Sequence, residues 1–471
     1  MGCPARPGLP GAHEGRPVSQ TVVLSPTGIV GYGFPERSFE AGLEAGPQVI
    51  GCDGGSTDQG PGDLGRGTLH VSRDACYRDL ELMIMGSRRL GIPLLVGTAG
   101  GAGSAPHVEA MRELVVEIAR KRRLHFSLAT IGSDVPKGYL HDRLDAGDVE
   151  PLDGGGRLDH EAVGSCDRIV GVMGAEPYQE GLRRGADVII AGRSSDTAIF
   201  AAVPLMNGEG PGQAWHAGKI LECGASAAVP MAATDCLLAW VRPTAFDVAP
   251  CNPELGCTPI SVAAHTMYEN ESPYLLREPS GTLDTRRCEF RSIDSRRVEV
   301  TGSSFAPAPR YSIKLEAVRL VGYRTICIGV CRDPALIAEA DLYIERVRKA
   351  VADRVADTYG PGCEYRLEIR EIGKNAAMGP LEPLATVTGH EIGLLLSVVA
   401  PTQQQADAIL AMARTHALHG EVSGRQGLLS NLAFPFAPSD IPSGPVHVFA
   451  LNHVVFPGSP TEMFPVRLER L

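Results

Sequence analysis

Three stretches of this chain gather glycine, hydroxyl and carboxylate residues at spacings that could do chemistry. The first is Asp53-Gly54-Gly55-Ser56-Thr57-Asp58, inside a run holding seven glycines and three aspartates over 51–67. Bare backbone amides and two hydroxyls there can hold a carboxylate or phosphate. Asp53 and Asp58 can serve as a base or as ligands of a divalent cation. The plainer reading is a glycine-rich turn capped by Asp and Ser. The second stretch is "GTAGGAGSAPH" (97–107), with Gly100, Gly101, Gly103 and Ser104 leading into a helix whose N-terminus suits an anion. Tight strand–helix packing would need the same glycines. The stretch nearly matches GxGxxG, but the third glycine is missing and no acid ends the next strand, so nicotinamide is not expected. The third is "AGRSSDTAIF" (191–200). Arg193 can pair bidentately with a carboxylate, and Ser194, Ser195, Asp196 and Thr197 open a helix. A helix cap beside a surface arginine is the alternative there.

Two helical stretches add titratable groups. His265 and Glu269, in "AAHTMYEN", are spaced i, i+4 and would share one helix face, suited to metal ligation or an acid–base pair, or as an ordinary surface pair. "WHAGKILEC" (215–223) puts His216, Lys219 and Glu222 in one short helix. Farther along, Lys374 and Arg425 are the cations of polar islands that could reach an anionic substrate. No GxSxG, HExxH, Walker A or EF-hand pattern occurs.

These groups need elements to position them. From Thr21 to about Pro204, the apolar runs "TVVL", "PQVIGC", "IPLLVGT", "LHFSLATI", "RIVGVM" and "ADVIIAG" alternate with helical patterns. Six strands with intervening helices predict a doubly wound, mostly parallel sheet, with ligands beyond the carboxyl ends of its strands. The three loops should therefore meet at one sheet edge. One helix is expected over Ser104–Arg122, capped by Ser104, and another from Ser72 to about Leu90, with Gly91 at its C′ position. Over 310–456 the order β-α-β-β-α-β predicts an α+β ferredoxin-like domain, with Asp333 and Thr402 capping its helices. The expected division is a disordered tail at 1–20, an α/β core with an extension at 21–305, and the ferredoxin-like domain at 306–471.

Length and composition fit this picture. A chain of 471 residues exceeds one ordinary core, and 44% hydrophobic with 21% charged residues is globular. A net charge of −11 with no basic stripe argues against nucleic acid. No apolar run is long enough to span a membrane. The twelve cysteines lack a CxxC pair and sit mostly in apolar runs, as reduced thiols of a cytoplasmic protein would.

The blocks "GGSTDQGPGDLG", "GTAGGAGSAPH", "GADVIIAGRSSDTAIFAAVPL", "SVAAHTMYEN" and "LSNLAFPFAPSDI" occur in one order. Together they resemble the acyclic terpene utilisation family, AtuA type, from about Thr21 onward. The sequence departs from that family's commoner pattern at Gln59 and at Gly62-Asp63. The resemblance implies work on branched acids carried as thioesters. The expected function is hydration, dehydration or isomerisation next to the carboxylate of a small acid or acyl thioester. Asp53, Asp58, Asp196, His265 and Glu269 are the acid–base candidates. The glycine loops and Arg193 are the anion clamp. A homo-oligomer is expected, with room for a small partner subunit. The alternatives are a non-catalytic acid-binding subunit and a thioester hydrolase.

Overall fold

The computed structural model describes residues 20–152, 154, 156–270, 272–384, 386–387, 389–425, 427 and 430–471. The tail expected over 1–20 lies, apart from Gln20, outside the described residues. Short apolar runs form the centre of a ten-stranded sheet. Its parallel strands are β1 (Thr21–Ser25), β2 (Val49–Asp53), β3 (Leu94–Gly97), β4 (Ser127–Ile131) and, after β5 (Val149–Pro151) and β6 (Arg168–Gly171), β7 (Val188–Ala191). Their order across the sheet is β1-β2-β3-β7-β4.

Successive residues of these strands enter two different cores. Val23, Val49, Leu95, Ala129 and Ile189 pack on one face with helices Asp196–Met206 and Pro211–Leu221. Leu24, Ile50, Leu94, Leu128 and Val188 pack on the other with helices Arg73–Leu90 and Ala105–Arg122. Burial on both faces explains why the strands read as unbroken apolar runs. Ser72 caps its helix by accepting from the Ala75 amide. Ser104 makes no such cap, because its hydroxyl is bonded to His107 Nδ1 at 2.7 Å.

One of the six expected strands leaves this sheet. β6 pairs antiparallel with Leu315–Val318. Residues 237–301, opaque in sequence, supply antiparallel strands beyond β1, beginning with Leu237–Val241 and Ala245–Pro250. Val466–Arg470 closes the opposite edge, antiparallel to β4.

The chain divides into two compact units. The first runs to Val318 and resumes at Phe449–Leu471, and the second is Arg319–Val448. The first unit takes back the C-terminus because His453–Val455 pair with Ile313–Leu315 and with β5. In the second unit, strand Arg366–Ile372 pairs with Ile392–Ala400, which pairs with 323–331, and Asp440–Phe449 pairs with strand Ile313–Cys331. Helices Ala340–Tyr359 and Gln403–His419 cover this sheet. Tyr343, Val347 and Val351 from one, and Ala406, Ile409 and Ala413 from the other, are buried together at helical spacing. Asp333 and Thr402 accept from the Ala335 and Gln405 amides at the starts of helices Pro334–Ala338 and Gln403–His419. Among the described residues, no helix is long and apolar enough to cross a membrane.

Candidate active site

The loops after β2, β3 and β7 meet backbone to backbone at the carboxyl ends of these strands. The Gly54 amide donates to Gly97 O at 2.8 Å. A Cβ on Gly55 would lie 2.3 Å from Gly101 Cα. Gly103 has φ +68, and a Cβ there would lie 2.1 Å from the Arg193 nitrogen. Only glycine permits that approach. Thr98 also takes a left-handed backbone, φ 42, and its hydroxyl accepts from the Ser194 amide at 3.3 Å. Such strain in a non-glycine residue is typical of functional sites. Glu269, φ 54, is a second example bordering the site.

Beside the β7 loop the first unit contains a cavity of about 720 Å³. Its polar wall carries Asp196, Lys219, Glu222 and Glu278, with Asp58 and Glu269 also reaching it. Leu152, Val172, Leu275, Val454 and Phe456 form apolar wall. Glu278 is buried and accepts hydrogen bonds from Ser195 Oγ, at 2.6 Å, and from Thr197 Oγ1. Burial pushes its pKa up to about 7 against those two hydroxyls. Lys219 Nζ lies 2.6 Å from Glu222, and both side chains are buried. Burial works against the Lys219 charge, but Glu222, Cys223 and Asp196 outweigh it, so the ammonium keeps its proton above the usual range. Burial likewise raises Glu222, to about 8, against the pull of Lys219. Asp196 is raised by burial despite Arg193, although 31% of its side chain remains exposed. Several carboxyls here can therefore hold protons near neutrality.

The glycine amides do not form the expected anion nest. Gly54 and Gly55 donate to Asp53 Oδ1, Gly101 to Thr98 O, and Gly103 to Ala99 O. Gly100 packs against Leu69 and His107. Asp53 is buried, and burial followed by Asp196 raises its pKa well above the carboxylate range. It does not line the cavity. Asp58 is exposed and accepts from Ser56 Oγ at 2.5 Å.

Arg193 is also already engaged. Its Nε and one terminal nitrogen hold Glu316 at 2.8 and 3.2 Å, and the other reaches Ser194 O, Asp196 and Thr98. Burial opposes the Glu316 carboxylate, but Arg193 overcomes it and holds the pKa at about 2. Thr57 Oγ1 donates to the same carboxylate at 3.0 Å. Arg193 is thus a buried tie between loops rather than an open clamp. Ser194 Oγ is bonded to Gly192 O and to Tyr178 OH, while Ser195 serves Glu278.

The remaining candidates separate. Helix Pro259–Thr266 stops before Glu269, so His265 and Glu269 do not share a helix face. His265 is buried against Tyr268, its Nε2 has no hydrogen-bond partner among the described residues, and burial then Lys219 lower its pKa to about 4. It does not line the cavity. Lys374 and Arg425 belong to the second unit and are ion-paired there, to Glu371 with Asp341 and to Asp333. Among the described residues, no group of three or more His, Cys, Asp or Glu is placed to hold a metal ion.

Sequence reasoning left Lys219 and Glu222 outside the expected site and missed Glu278, Glu316 and Arg277 altogether. The sequence carried no signal for them: "IKLE" alternates apolar and polar residues, so Glu316 falls with Lys314 at a position that reads as solvent-facing, and Glu278 follows Arg277 at the end of a short run.

No curated protein and no solved structure gives a significant match to the chain. Residues 87–234 and 254–432 match the family model described as acyclic terpene utilisation family protein AtuA. Asp196, Lys219, Glu222, Glu278 and Glu316 lie inside the match, and Asp53 and Asp58 lie outside it. With most of its length matched, the chain belongs to the acyclic terpene utilisation family, AtuA type.

Proposed function

We propose that the chain is a cytoplasmic lyase or isomerase that moves a proton at the carbon next to a carboxylate or thioester carbonyl. The observation carrying this reading is the buried Glu222 and Glu278 with the partly exposed Asp196, all with raised pKa values, next to a charged Lys219, on one cavity wall. Acid–base chemistry near pH 7 needs groups tuned in this way. The two units carry a finer fold reading as well. Apolar cores on both sheet faces support a doubly wound first domain, and the strand pairing of 319–448 supports a ferredoxin-like second domain.

In this reading the substrate carbonyl lies against the Lys219 ammonium. Glu278 takes a proton from the adjacent carbon, and the electron pair moves onto the carbonyl oxygen, where Lys219 holds the charge. Asp196 protonates a β-hydroxyl, which leaves as water while the pair returns to form the C=C bond. The reverse sequence is hydration, and return of the proton at another carbon is isomerisation. Ser195 and Thr197 orient Glu278, and Arg193 orients Asp196.

The test is incubation of the full chain in deuterium oxide with crotonyl-coenzyme A and with crotonate, followed by NMR. Deuterium at the carbon next to the carbonyl, with or without a 3-hydroxy product, is the expected result. Thioester hydrolysis without deuterium would replace this reading with a hydrolase. No reaction with either compound would remove the enzyme reading for short enoyl acids.

A further inference from the structure

Four cations border the cavity: Arg193, Lys219, Arg277 and Lys314. Three of them have acidic partners. Arg193 holds Glu316 and Asp196, Lys219 holds Glu222, and Lys314 lies 3.4 Å from Glu316. The Arg277 side chain has neither an ion pair nor a hydrogen bond among the described residues, and it is exposed. A guanidinium presents a planar fork of donors matched to carboxylate and phosphate oxygens.

Its place in the fold adds a geometric constraint. Arg277 lies on Leu275–Glu278, an edge strand of a three-stranded sheet, next to Glu278 in sequence. Neighbouring side chains on a strand point to opposite faces. Both residues border the same cavity, which therefore wraps around the strand edge. An anion held by Arg277 is consequently separated from the carbon that Glu278 would deprotonate. Leu275 and Leu276 border the cavity on this strand and offer apolar surface to the chain joining the two ends.

We propose that Arg277 binds an anionic group of the substrate remote from the reacting carbon, and so selects which acids or thioesters the cavity accepts. The inference rests on the acid–base reading of this cavity. The shared chemistry is a carboxylate or phosphate oxygen pair. A second carboxylate on a dicarboxylic acid and the phosphates of a coenzyme A thioester are its two sources.

Calorimetric titration of the full chain with four probes tests it. Crotonate and crotonyl-pantetheine lack the remote anion, glutaconate adds a carboxylate, and crotonyl-coenzyme A adds phosphates. The wild type is expected to bind at least one anion-bearing probe about tenfold tighter than its counterpart, as a charge-assisted contact would give. Which pair shows the preference identifies the source. Arg277→Ala should abolish that preference while leaving crotonate and crotonyl-pantetheine within about twofold, and Arg277→Lys should retain part of it. An Arg277→Ala protein that keeps the wild-type preference overturns the assignment. Selective binding without deuterium exchange leaves the anchor standing and refutes the proposed reaction. Failure of the wild type to bind any of the four overturns both.

Discussion

Glu278 is caught between burial, which raises its pKa, and two hydroxyls that favour its ionised form. The folded chain retains a proton there, between its ordinary pKa of 4.5 and about 7, that the unfolded chain has lost. Glu278 therefore contributes about 3 kcal/mol to a fall in stability as pH rises through that window, and nothing further above it. Glu278→Gln should reduce the slope by that share, which urea unfolding at each end of the window would reveal; an unchanged slope would contradict the assignment. Glu316 has the opposite sign. Its depressed pKa contributes stability above about pH 4.5 that is lost as pH falls toward 2. Removing it takes away the two-point carboxylate partner of the buried Arg193 guanidinium, leaving only the partly exposed Asp196, so Glu316→Ala should cost about 3 kcal/mol. Arg193→Ala should likewise lower stability first, read as a drop in melting temperature. The sequence could not show this. It displays Arg193 beside hydroxyls but gives no sign that a glutamate 123 positions away will take the guanidinium.

The loops after β2, β3 and β7 were legible as strand ends, because each follows an apolar run and is rich in glycine. Their convergence follows from parallel topology, which places consecutive carboxyl ends at one edge. Their chemistry was not legible. Glycine serves close backbone approach as well as anion binding, and here the Gly54, Gly55, Gly101 and Gly103 amides are bonded within the protein. Gly103→Ala tests the packing role. With φ +68 and the Arg193 nitrogen 2.1 Å from a new Cβ, it should cost more than about 1 kcal/mol and displace the β7 loop. Wild-type stability in that variant would mean that the loops tolerate separation. The capping residues Asp333 and Thr402 were readable because a cap is a local bond. Strand β6 was readable as a strand but its sheet was not, since its apolar run fits either sheet and only its antiparallel partner at Leu315–Val318 decides.

At the scale of the whole molecule, the second unit is an insertion within the first. The first unit's strands Ile313–Leu315 and His453–Val455 are paired, and the Ala450 amide donates to Ala317 O at 2.8 Å. The ends flanking 319–448 are therefore neighbours, as in a hairpin. Every residue bordering the cavity belongs to the first unit. Replacing 319–448 by a short Asn-Gly turn should leave a folded first unit with the cavity intact, checked by circular dichroism and a single cooperative melt. A molten or insoluble product would show that the first unit cannot stand alone. The return of the C-terminus was hidden in the sequence, because Val466–Arg470 is too short and too charged to announce its pairing with β4. The central claim, proton transfer in the acid-lined cavity, is tested most directly by solvent deuterium incorporation into crotonyl-coenzyme A, compared between the wild type and Glu278→Gln below and above about pH 7. Incorporation by the wild type should fall as pH rises through that point, because in the hydration direction Glu278 must hold the proton that it gives to the carbon next to the carbonyl. It should fall by about 10²–10⁴-fold in the variant with the melt unchanged. Equal incorporation by the two proteins would contradict the account.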